Sequence, residues 1–418
     1  MAGLVPAIYV FFSNWRRVDA RAKPGHDIWV VRLRSIDQSG VRRAEAGEPR
    51  RVGFGGRDRR WHMTESFEPL RRLLADAGYA FVEPPIVHDA AIFVELAGED
   101  LRRRLFLTAA PDGTELALRP DYTIPVCRAH LANGTAQRRA DYAYLGPVFR
   151  QRPGESGEFS QAGVESLGRT DRARADADVL SLALKAIDVL GIKRPKVRVG
   201  DQALFAATLD ALEIRGPWRK RLDRTFGDPM RLTALVARAA DGKDPPPAIS
   251  HTAARRKAER LLVESGLGTI GSRTGKEIAE RLIEKSALAA GIGKRAQDVL
   301  TRFLAVEGAP TEALATLRKL AQSEKLAITP ALDRFEKRID AFSKAGVDAA
   351  ALSFAADFGR RLDYYTGFVF EIHDRRRRDG RQVVGGGRYD RLLSLIGHGR
   401  SIPAVGFAIW LDRIGGLR

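Results

Sequence analysis

Cysteine is almost absent from this sequence: Cys127 is the single example in 418 residues. One thiol cannot build a framework of disulfide bonds and is typical of a reducing compartment, so we expect a cytoplasmic protein. The seven histidines are scattered, and no cysteine or histidine cluster has the spacing of a zinc site. We therefore expect no metal and no other cofactor. Long apolar runs are also missing, because none approaches the ~18 residues of a membrane-spanning helix, and we expect no membrane partner.

Acidic residues are outnumbered, since 52 Asp and Glu face 70 Lys and Arg for a net charge of +18. Basic surfaces attract phosphates, which would suggest a nucleic-acid partner. The distribution argues against one: residues 1–62 hold 13 Lys and Arg against six acids, and the remaining +11 is spread over 356 residues with interleaved acids. A mixed, solvated surface explains this pattern better than a nucleic-acid interface. A role as a tRNA-binding module would rest on the net charge alone.

The first 62 residues show no hydrophobic periodicity. Their apolar run, Met1–Phe12, lacks both the basic n-region and the small-residue cleavage site of a signal peptide. The stretch Val5-Pro-Ala-Ile-Tyr-Val10 resembles a repeat-derived peptide found ahead of unrelated bacterial reading frames, which makes Met63 the predicted start of the protein. We predict that residues 1–62 are disordered or do not belong to the protein; a flexible basic arm is the alternative.

From Thr64 onward the hydrophobic pattern becomes regular. Runs with period two predict strands, the turn Pro111-Asp-Gly113 predicts a hairpin, and residues 196–344 are almost purely helical. We predict an α+β fold, an antiparallel sheet flanked by helices on one face. Residues 63–195 and 345–418 would form its core, and residues 196–344 a helical insertion. The predicted core elements include strands at Tyr79–Val87, Arg104–Ala109, Glu115–Arg119, Asp141–Arg150, Ser160–Leu167, Leu352–Asp357, Tyr364–His373, Gln382–Val384 and Ala404–Ile409, and a helix at Arg388–Ile396.

The segment Leu118-Arg-Pro-Asp-Tyr-Thr123 sets an acid two residues before a threonine. An ammonium group needs an anionic acceptor and neutral hydrogen-bond partners, which Asp121 and Thr123 can supply. The segment resembles the Leu-Arg-Pro-Glu-Gly-Thr motif of histidyl-tRNA synthetases, and this implies that both residues bind the amino group of histidine. Asp121 is one methylene shorter than the glutamate of that motif. Taken alone, the acid is better explained as a partner for Arg119 or a cap for the next turn.

A second segment, Tyr144–Pro153, is followed by Phe159-Ser-Gln-Ala-Gly-Val-Glu165. It resembles motif 2 of class II aminoacyl-tRNA synthetases, which implies that Arg150 clamps an α-phosphate and a carboxylate with its planar fork. Gln161 and Glu165 share one face of a strand, and the resemblance implies that they line the histidine pocket. The intervening loop is shorter than in the synthetases, and Arg152 stands where they have an acid. The alternative for Arg150 is a buried structural ion pair.

Two further segments, Gly359–Glu371 and Gly385-Gly-Gly-Arg-Tyr-Asp390, follow. They resemble the Arg-Gly-Leu-Asp-Tyr-Tyr signature and the Gly-Gly-Arg-Tyr-Asp motif of histidyl-tRNA synthetases. The resemblance implies that Arg360 corresponds to the arginine that promotes histidine activation, and that three aromatic side chains surround the imidazole. A tyrosine suits that ring because it offers both a π-face and a hydroxyl. The three are Tyr364, Tyr365 and Tyr389.

The final motif, Ser401–Arg413, is followed by five residues. It resembles motif 3 of the class II synthetases, in which the arginine, here Arg413, holds ATP. Trp410 stands three residues earlier, where the synthetase pattern has a glycine beside the nucleotide. We therefore expect Arg150 and Arg413 to be relics of a nucleotide site that the Trp410 indole blocks.

Together these segments cover about residues 64–413 and resemble the regulatory subunits of ATP phosphoribosyltransferase, a family of histidyl-tRNA synthetase paralogues without an anticodon-binding domain. The resemblance implies a class II synthetase-like core with no catalytic residue. It also implies a short-form catalytic subunit as partner, histidine as effector in the first step of histidine biosynthesis, and a homodimer within a hetero-oligomer. A truncated histidyl-tRNA synthetase or a stand-alone histidine-adenylating enzyme stays open, because Arg150, Arg360 and Arg413 are all present.

Overall fold

The computed structural model of the chain describes residues 67–96, 101–134, 138–239, 249–264, 274–360, 362 and 364–415. The prediction about residues 1–62 lies outside these residues. Within them, no helix is long and apolar enough to cross a membrane.

Strands form one large sheet and one small one. The large sheet has the order β1-β5-β6-β12-β11-β10-β7-β9-β8, and the small one has the order β2-β4-β3. The six strands from β5 to β7 in this order are antiparallel, whereas the pairs β1–β5 and β7–β9 are parallel. The predicted antiparallel sheet is therefore a mixed one. The strands are β1 Ala80–Phe81, β2 Val87–Asp89, β3 Leu107–Ala109, β4 Glu115–Leu118, β5 Ala140–Phe149, β6 Glu158–Leu167, β7 Pro195–Asp201, β8 Glu307–Gly308, β9 Leu352–Ala355, β10 Phe368–Asp374, β11 Val384–Arg388 and β12 Ala404–Trp410.

Helices occupy most of the middle of the chain and flank the sheet. Short helical turns follow at Ala349–Ala351, Ser394–His398 and Leu411–Arg413. The α-helices are α1 Glu68–Asp76, α2 Ala91–Leu96, α3 Thr123–Ala132, α4 Arg172–Val189, α5 Gln202–Ala211, α6 Gly216–Thr225, α7 Pro229–Arg238, α8 His251–Glu264, α9 Gly275–Ala289, α10 Lys294–Leu304, α11 Pro310–Ser323 and α12 Thr329–Lys344.

The two faces of the large sheet have different coverings, because side chains alternate along each strand. On one face, Val405, Phe407 and Ile409 of β12 join a large apolar core with helices α1, α4, α5, α11 and α12. The opposite face, called here the site face, carries Glu165 of β6 and Gly406 of β12, which are register partners. A second apolar cluster with residues of α2 and α3 covers part of the site face. Helices thus lie on both faces, and the prediction of helices on one face was wrong.

A buried ionic network ties the helical segment to the sheet. Arg338 of α12 donates to Asp176 of α4 at 2.8 Å and to Asp201 at the end of β7 at 2.5 Å. Asp176 also accepts from Arg388 of β11, at 2.8 Å. Removing one member of such a network is costly because it leaves a buried charge without its partner. The network therefore fixes β11 and the residues after it relative to α4 and α12.

Several element boundaries differ from the sequence predictions. The run Tyr79–Val87 is not one strand, because Pro84 and Pro85 separate β1 from β2. Residues 196–201 belong to strand β7 of the large sheet, so that part of the predicted helical insertion is sheet. The insertion as a domain stays a prediction. The predicted helix Arg388–Ile396 is reduced to a short turn, because Arg388 ends strand β11 and pairs with Val405.

Candidate functional site

A small cavity opens on the site face, beside strands β6, β11 and β12. Its volume is about 40 Å³, which is room for about three water molecules. All eight residues that the sequence predicted to bind histidine line it, together with Arg150 and Trp410. The eight are Asp121, Thr123, Gln161, Glu165, Arg360, Tyr364, Tyr365 and Tyr389.

Glu165 lines this cavity from strand β6 and is almost fully buried. Its Oε1 accepts from the hydroxyls of Thr123 at 2.7 Å and Tyr144 at 3.4 Å, and its Oε2 accepts from the hydroxyl of Tyr389. Gly406 lies opposite, and a Cβ there would overlap the carboxylate. Burial raises the pKa of Glu165 to about 8, although the hydroxyls of Tyr389 and Thr123 lower it. A carboxyl with this pKa holds a proton at neutral pH and is able to donate a hydrogen bond as well as accept one.

Two other buried polar side chains, Asp121 and Gln161, have no hydrogen-bond partner among the described residues. Asp121 precedes helix α3, and Nη2 of Arg150 lies 3.9 Å from its Oδ2. Burial raises the pKa of Asp121; Arg150 and the nearby N–H groups of Ile124 and Thr123 oppose this rise without reaching hydrogen-bonding geometry. Buried polar groups normally have partners. This pair therefore fits a ligand with hydrogen-bond donors, such as an ammonium group.

Arg360 forms another part of the cavity wall. Its Nη1 donates to Oε1 of Glu371 on β10 at 2.8 Å, and its Nε is buried without a partner among the described residues. The guanidinium lies directly over Gly385 of β11, where a Cβ would overlap it. The glycine is therefore needed for the arginine to lie against the site face. Gly385-Gly-Gly387 lies within strand β11.

Three tyrosine rings supply the aromatic part of the cavity. The rings of Tyr364 and Tyr389 meet edge to face with centroids 5.9 Å apart, and the Tyr364 and Tyr365 centroids are 5.1 Å apart. Burial raises the pKa of all three hydroxyls, so they stay protonated as hydrogen-bond donors. A planar ring with N–H groups, such as imidazole, suits these surroundings.

The side of the cavity toward Arg413 is filled by Trp410. This indole is 5% exposed, and the Cζ atoms of Arg413 and Arg360 lie 4.8 Å and 5.8 Å from its ring centroid. Arg413 does not line the cavity: its Nη1 donates to the Gln382 carbonyl at 2.8 Å. Burial lowers the pKa of Arg413 to about 10, with nearby arginines adding to the fall. Arg150 lines the cavity and donates from Nε to the Pro120 carbonyl at 2.6 Å.

The loop after Arg150 is pinned beside this tryptophan by Arg152. Nη1 of Arg152 lies 2.7 Å from Asp412, next to Arg413, and 3.1 Å from Glu155 within the loop. The same guanidinium stacks on the Phe159 ring at 3.9 Å from the centroid. Arg152 thus joins the loop after Arg150 to the segment that carries Arg413.

The chain matches the family model described as histidyl-tRNA synthetase over residues 55–262 and 273–414. It is also 42% identical over 363 residues to the ATP phosphoribosyltransferase regulatory subunit of Brucella canis, covering 84% of this chain and 96% of that protein. The chain belongs to the family of ATP phosphoribosyltransferase regulatory subunits. The resemblance predicted from its motifs is confirmed.

Solved structures confirm the synthetase-like fold of this family. An ATP phosphoribosyltransferase regulatory subunit/histidyl-tRNA synthetase from Bacillus halodurans has a TM-score of 0.60 at 24% identity, covering 87% of this chain and 83% of that one. A histidyl-tRNA synthetase from Nostoc has a TM-score of 0.57 at 17% identity, covering 88% and 74%. The predicted class II architecture is therefore correct.

Sequence reasoning overlooked three contributors to the site of this family member. Tyr144 contacts Glu165, Glu371 holds Arg360, and Leu362 lines the cavity. Tyr144 could have been found, because it alternates with the buried core residue Ala143 and so faces the same side as Gln161 and Glu165. Glu371 is the last residue of a segment already singled out. Leu362 carries no signal beyond its place in the Leu-Asp-Tyr-Tyr sequence.

Proposed function

We propose that this chain is a regulatory subunit without catalytic activity of its own, which joins a short-form catalytic ATP phosphoribosyltransferase subunit. In the complex it would confer activation and make the first step of histidine biosynthesis sensitive to histidine. Family membership supports the regulatory role. The observation that supports histidine as the effector is the small cavity, which all eight predicted histidine-binding residues line.

Histidine would bind with its ammonium group at Asp121, Thr123 and Gln161. The buried, unpartnered oxygens of Asp121 and the amide of Gln161 support this orientation. The imidazole would then lie toward Glu165, Tyr364 and Tyr389, where a protonated carboxyl and phenol hydroxyls complement its two nitrogens. The cavity is smaller than histidine, so binding would require side chains of its wall to move outward.

The nucleotide side of the pocket would be inactive. Trp410 occupies the space between Arg360 and Arg413, and a packed indole is difficult to displace. Arg413 is turned to the Gln382 carbonyl, and Arg152 is held by Asp412. Both guanidinium groups are thus engaged by groups of the protein itself, which supports loss of ATP binding rather than adenylation.

The decisive experiment compares histidine binding and histidine inhibition in the complex carrying Glu165→Ala. Removing one partner of a buried hydrogen bond costs ~1–3 kcal/mol, so we expect binding to weaken by about one to two orders of magnitude. Glu158→Ala is the matched control, because Glu158 lies exposed at the start of the same strand. Loss of binding and inhibition together supports the cavity as the effector site. Inhibition that persists at wild-type histidine concentrations rejects it in favour of a separate site at a subunit interface.

The second candidate is a histidine-activating enzyme, which the presence of Arg150 and Arg360 at one cavity favours. Histidine-dependent exchange of pyrophosphate into ATP distinguishes the two. We expect no exchange by the wild-type protein; robust exchange would establish the enzyme and reject the regulatory proposal. Exchange that appears only in Trp410→Gly would support the blocking role of the indole.

A further inference from the structure

A second, larger cavity lies beside the first, between helix α6 and the residues that follow strand β11. Its volume is about 600 Å³, within the range of small-molecule sites. The wall from the helical segment includes Arg219, Lys220 and Arg224 of α6, and Arg391, which follows strand β11, also lines the cavity. The basic side chains of α6 belong to none of the sequence motifs described above, and none of them is a predicted site residue.

The charge of this cavity is unbalanced in favour of cations. The two acidic residues that line it, of those the structure describes, are already paired: Asp223 lies 2.8 Å from Arg219, and Asp390 lies 2.8 Å from Arg388. Lys220, Arg224 and Arg391 have no ion pair within the part of the chain that the structure describes. Three basic side chains thus line one cavity without a compensating acid among the described residues.

The arrangement on α6 concentrates this charge. Lys220 and Arg224 are four residues apart and therefore share one face of the helix, where like charges repel. Arg221, on the same helix, does not line the cavity. The wall also contains the rings of Phe226 and Tyr365, so charged and apolar surfaces meet there.

We propose that this cavity binds a small molecule that carries two or more phosphate groups. Arginine presents its donors as a planar fork that matches phosphate oxygens, and a doubly charged phosphate offsets more than one cation. The rings of Phe226 and Tyr365 would support the sugar or base of such a ligand. A cavity of this volume favours a small ligand over the extended groove that single-stranded RNA needs.

The two cavities share part of their walls, since Arg360, Leu362 and Tyr365 line both. Arg360 is nearly buried, and its Nε has no partner among the described residues. A phosphate ligand that draws on this guanidinium would change its contact with Glu371 and the wall of the first cavity. If the first cavity binds histidine, as the proposed function requires, the affinities for the two ligands are coupled and each changes the other by the same factor.

Isothermal titration of the full chain with inorganic pyrophosphate, without histidine, tests the site independently of the histidine proposal. We expect binding that weakens with salt, and a loss of affinity of about tenfold or more in Lys220→Ala/Arg224→Ala. Arg221→Ala, which removes a charge from the same helix outside the cavity, should bind as the wild type does. No binding by the wild type, or an equal loss in both variants, would overturn the proposal.

Two further titrations decide the ligand class and the coupling. A single-stranded RNA dodecamer that binds more tightly than pyrophosphate and competes with it would reassign the cavity to nucleic acid. Histidine titrations with and without saturating pyrophosphate should differ for the wild type and agree for Lys220→Ala/Arg224→Ala. If the wild type binds histidine equally well with and without pyrophosphate, the coupling is rejected. If the wild type does not bind histidine at all, the proposed function is rejected, and the pyrophosphate titration alone decides whether the second cavity is a binding site.

Discussion

Glu165 should make the stability of this protein depend on pH in a way that one substitution removes. Burial holds its pKa at about 8 in the folded chain, against 4.5 for an ordinary glutamate. The unfolded chain therefore loses this proton near pH 4.5, and the folded chain keeps it until about pH 8. Because the folded state binds the extra proton in this window, the contribution of Glu165 to stability is complete below pH 4.5 and is lost as the pH rises through 8.

The magnitude follows from the width of that window. Within the window, each rise of one pH unit lowers the free energy of unfolding by about 1.4 kcal/mol through Glu165. A rise of two units therefore lowers it by about 2–3 kcal/mol. Glu165→Gln should remove this dependence, because the amide is neutral at every pH. Its oxygen is still able to accept from Thr123, and its NH2 group is able to donate to the Tyr389 hydroxyl oxygen, which is the donor to Oε2 in the wild type. The variant should equal the wild type near pH 4 and exceed it in stability near pH 8.

Denaturant unfolding followed by circular dichroism across this pH range measures the effect. The informative quantity is the difference between variant and wild type, because other titrating groups contribute equally to both. Glu158→Gln provides the control, since Glu158 is exposed on the same strand and should leave the pH profile unchanged. Parallel profiles for the wild type and Glu165→Gln would refute the reasoning and show that Glu165 ionises normally inside the fold.

The remaining predictions concern packing, assembly and the chain terminus. Gly406→Ala should destabilise the protein by about 1–3 kcal/mol and weaken histidine binding, because the added Cβ would overlap Glu165 and the Val164 carbonyl. Denaturation and histidine titration measure the two effects. The control is Gly415→Ala, which should change neither, because an added Cβ there has no neighbouring atom within 4 Å. The chain should form a dimer through the small sheet near Pro85, where Val87 and Leu107 are 46% and 51% exposed. Light scattering at micromolar concentration should then give a dimer mass that Val87→Glu reduces, and a monomeric wild type would contradict this. Deleting residues 1–62 should leave the melting temperature unchanged, since their sequence has no periodic apolar face to bury; a large fall would place them in the fold.

The local sequence pattern was sufficient to predict those strands and turns in which side chains alternate regularly between the two faces. The Pro111-Asp-Gly113 turn predicted the hairpin of β3 and β4, and the pairing of β5 with β6 follows the predicted strands closely. Period two also set Gln161 and Glu165 on one face. Helix α3 was not predicted, because Ile124, Val126 and Cys127 are buried on neighbouring positions and leave no amphipathic stripe to detect.

The candidate site also has features that the sequence predicted and features that it did not. The sequence by itself predicted which side chains line the small cavity, because its motifs resemble those of a family and each residue was carried over by its place in a motif. Only the tertiary structure decided what those residues do to one another. The Tyr389 hydroxyl reaches Glu165 across 224 positions of the chain, and helix α6 brings Lys220 to the cavity that Arg360 also lines. The pKa of Glu165 and the charge of the second cavity both arise from such contacts, since desolvation and Coulomb interactions depend on distances in space rather than on spacing along the chain.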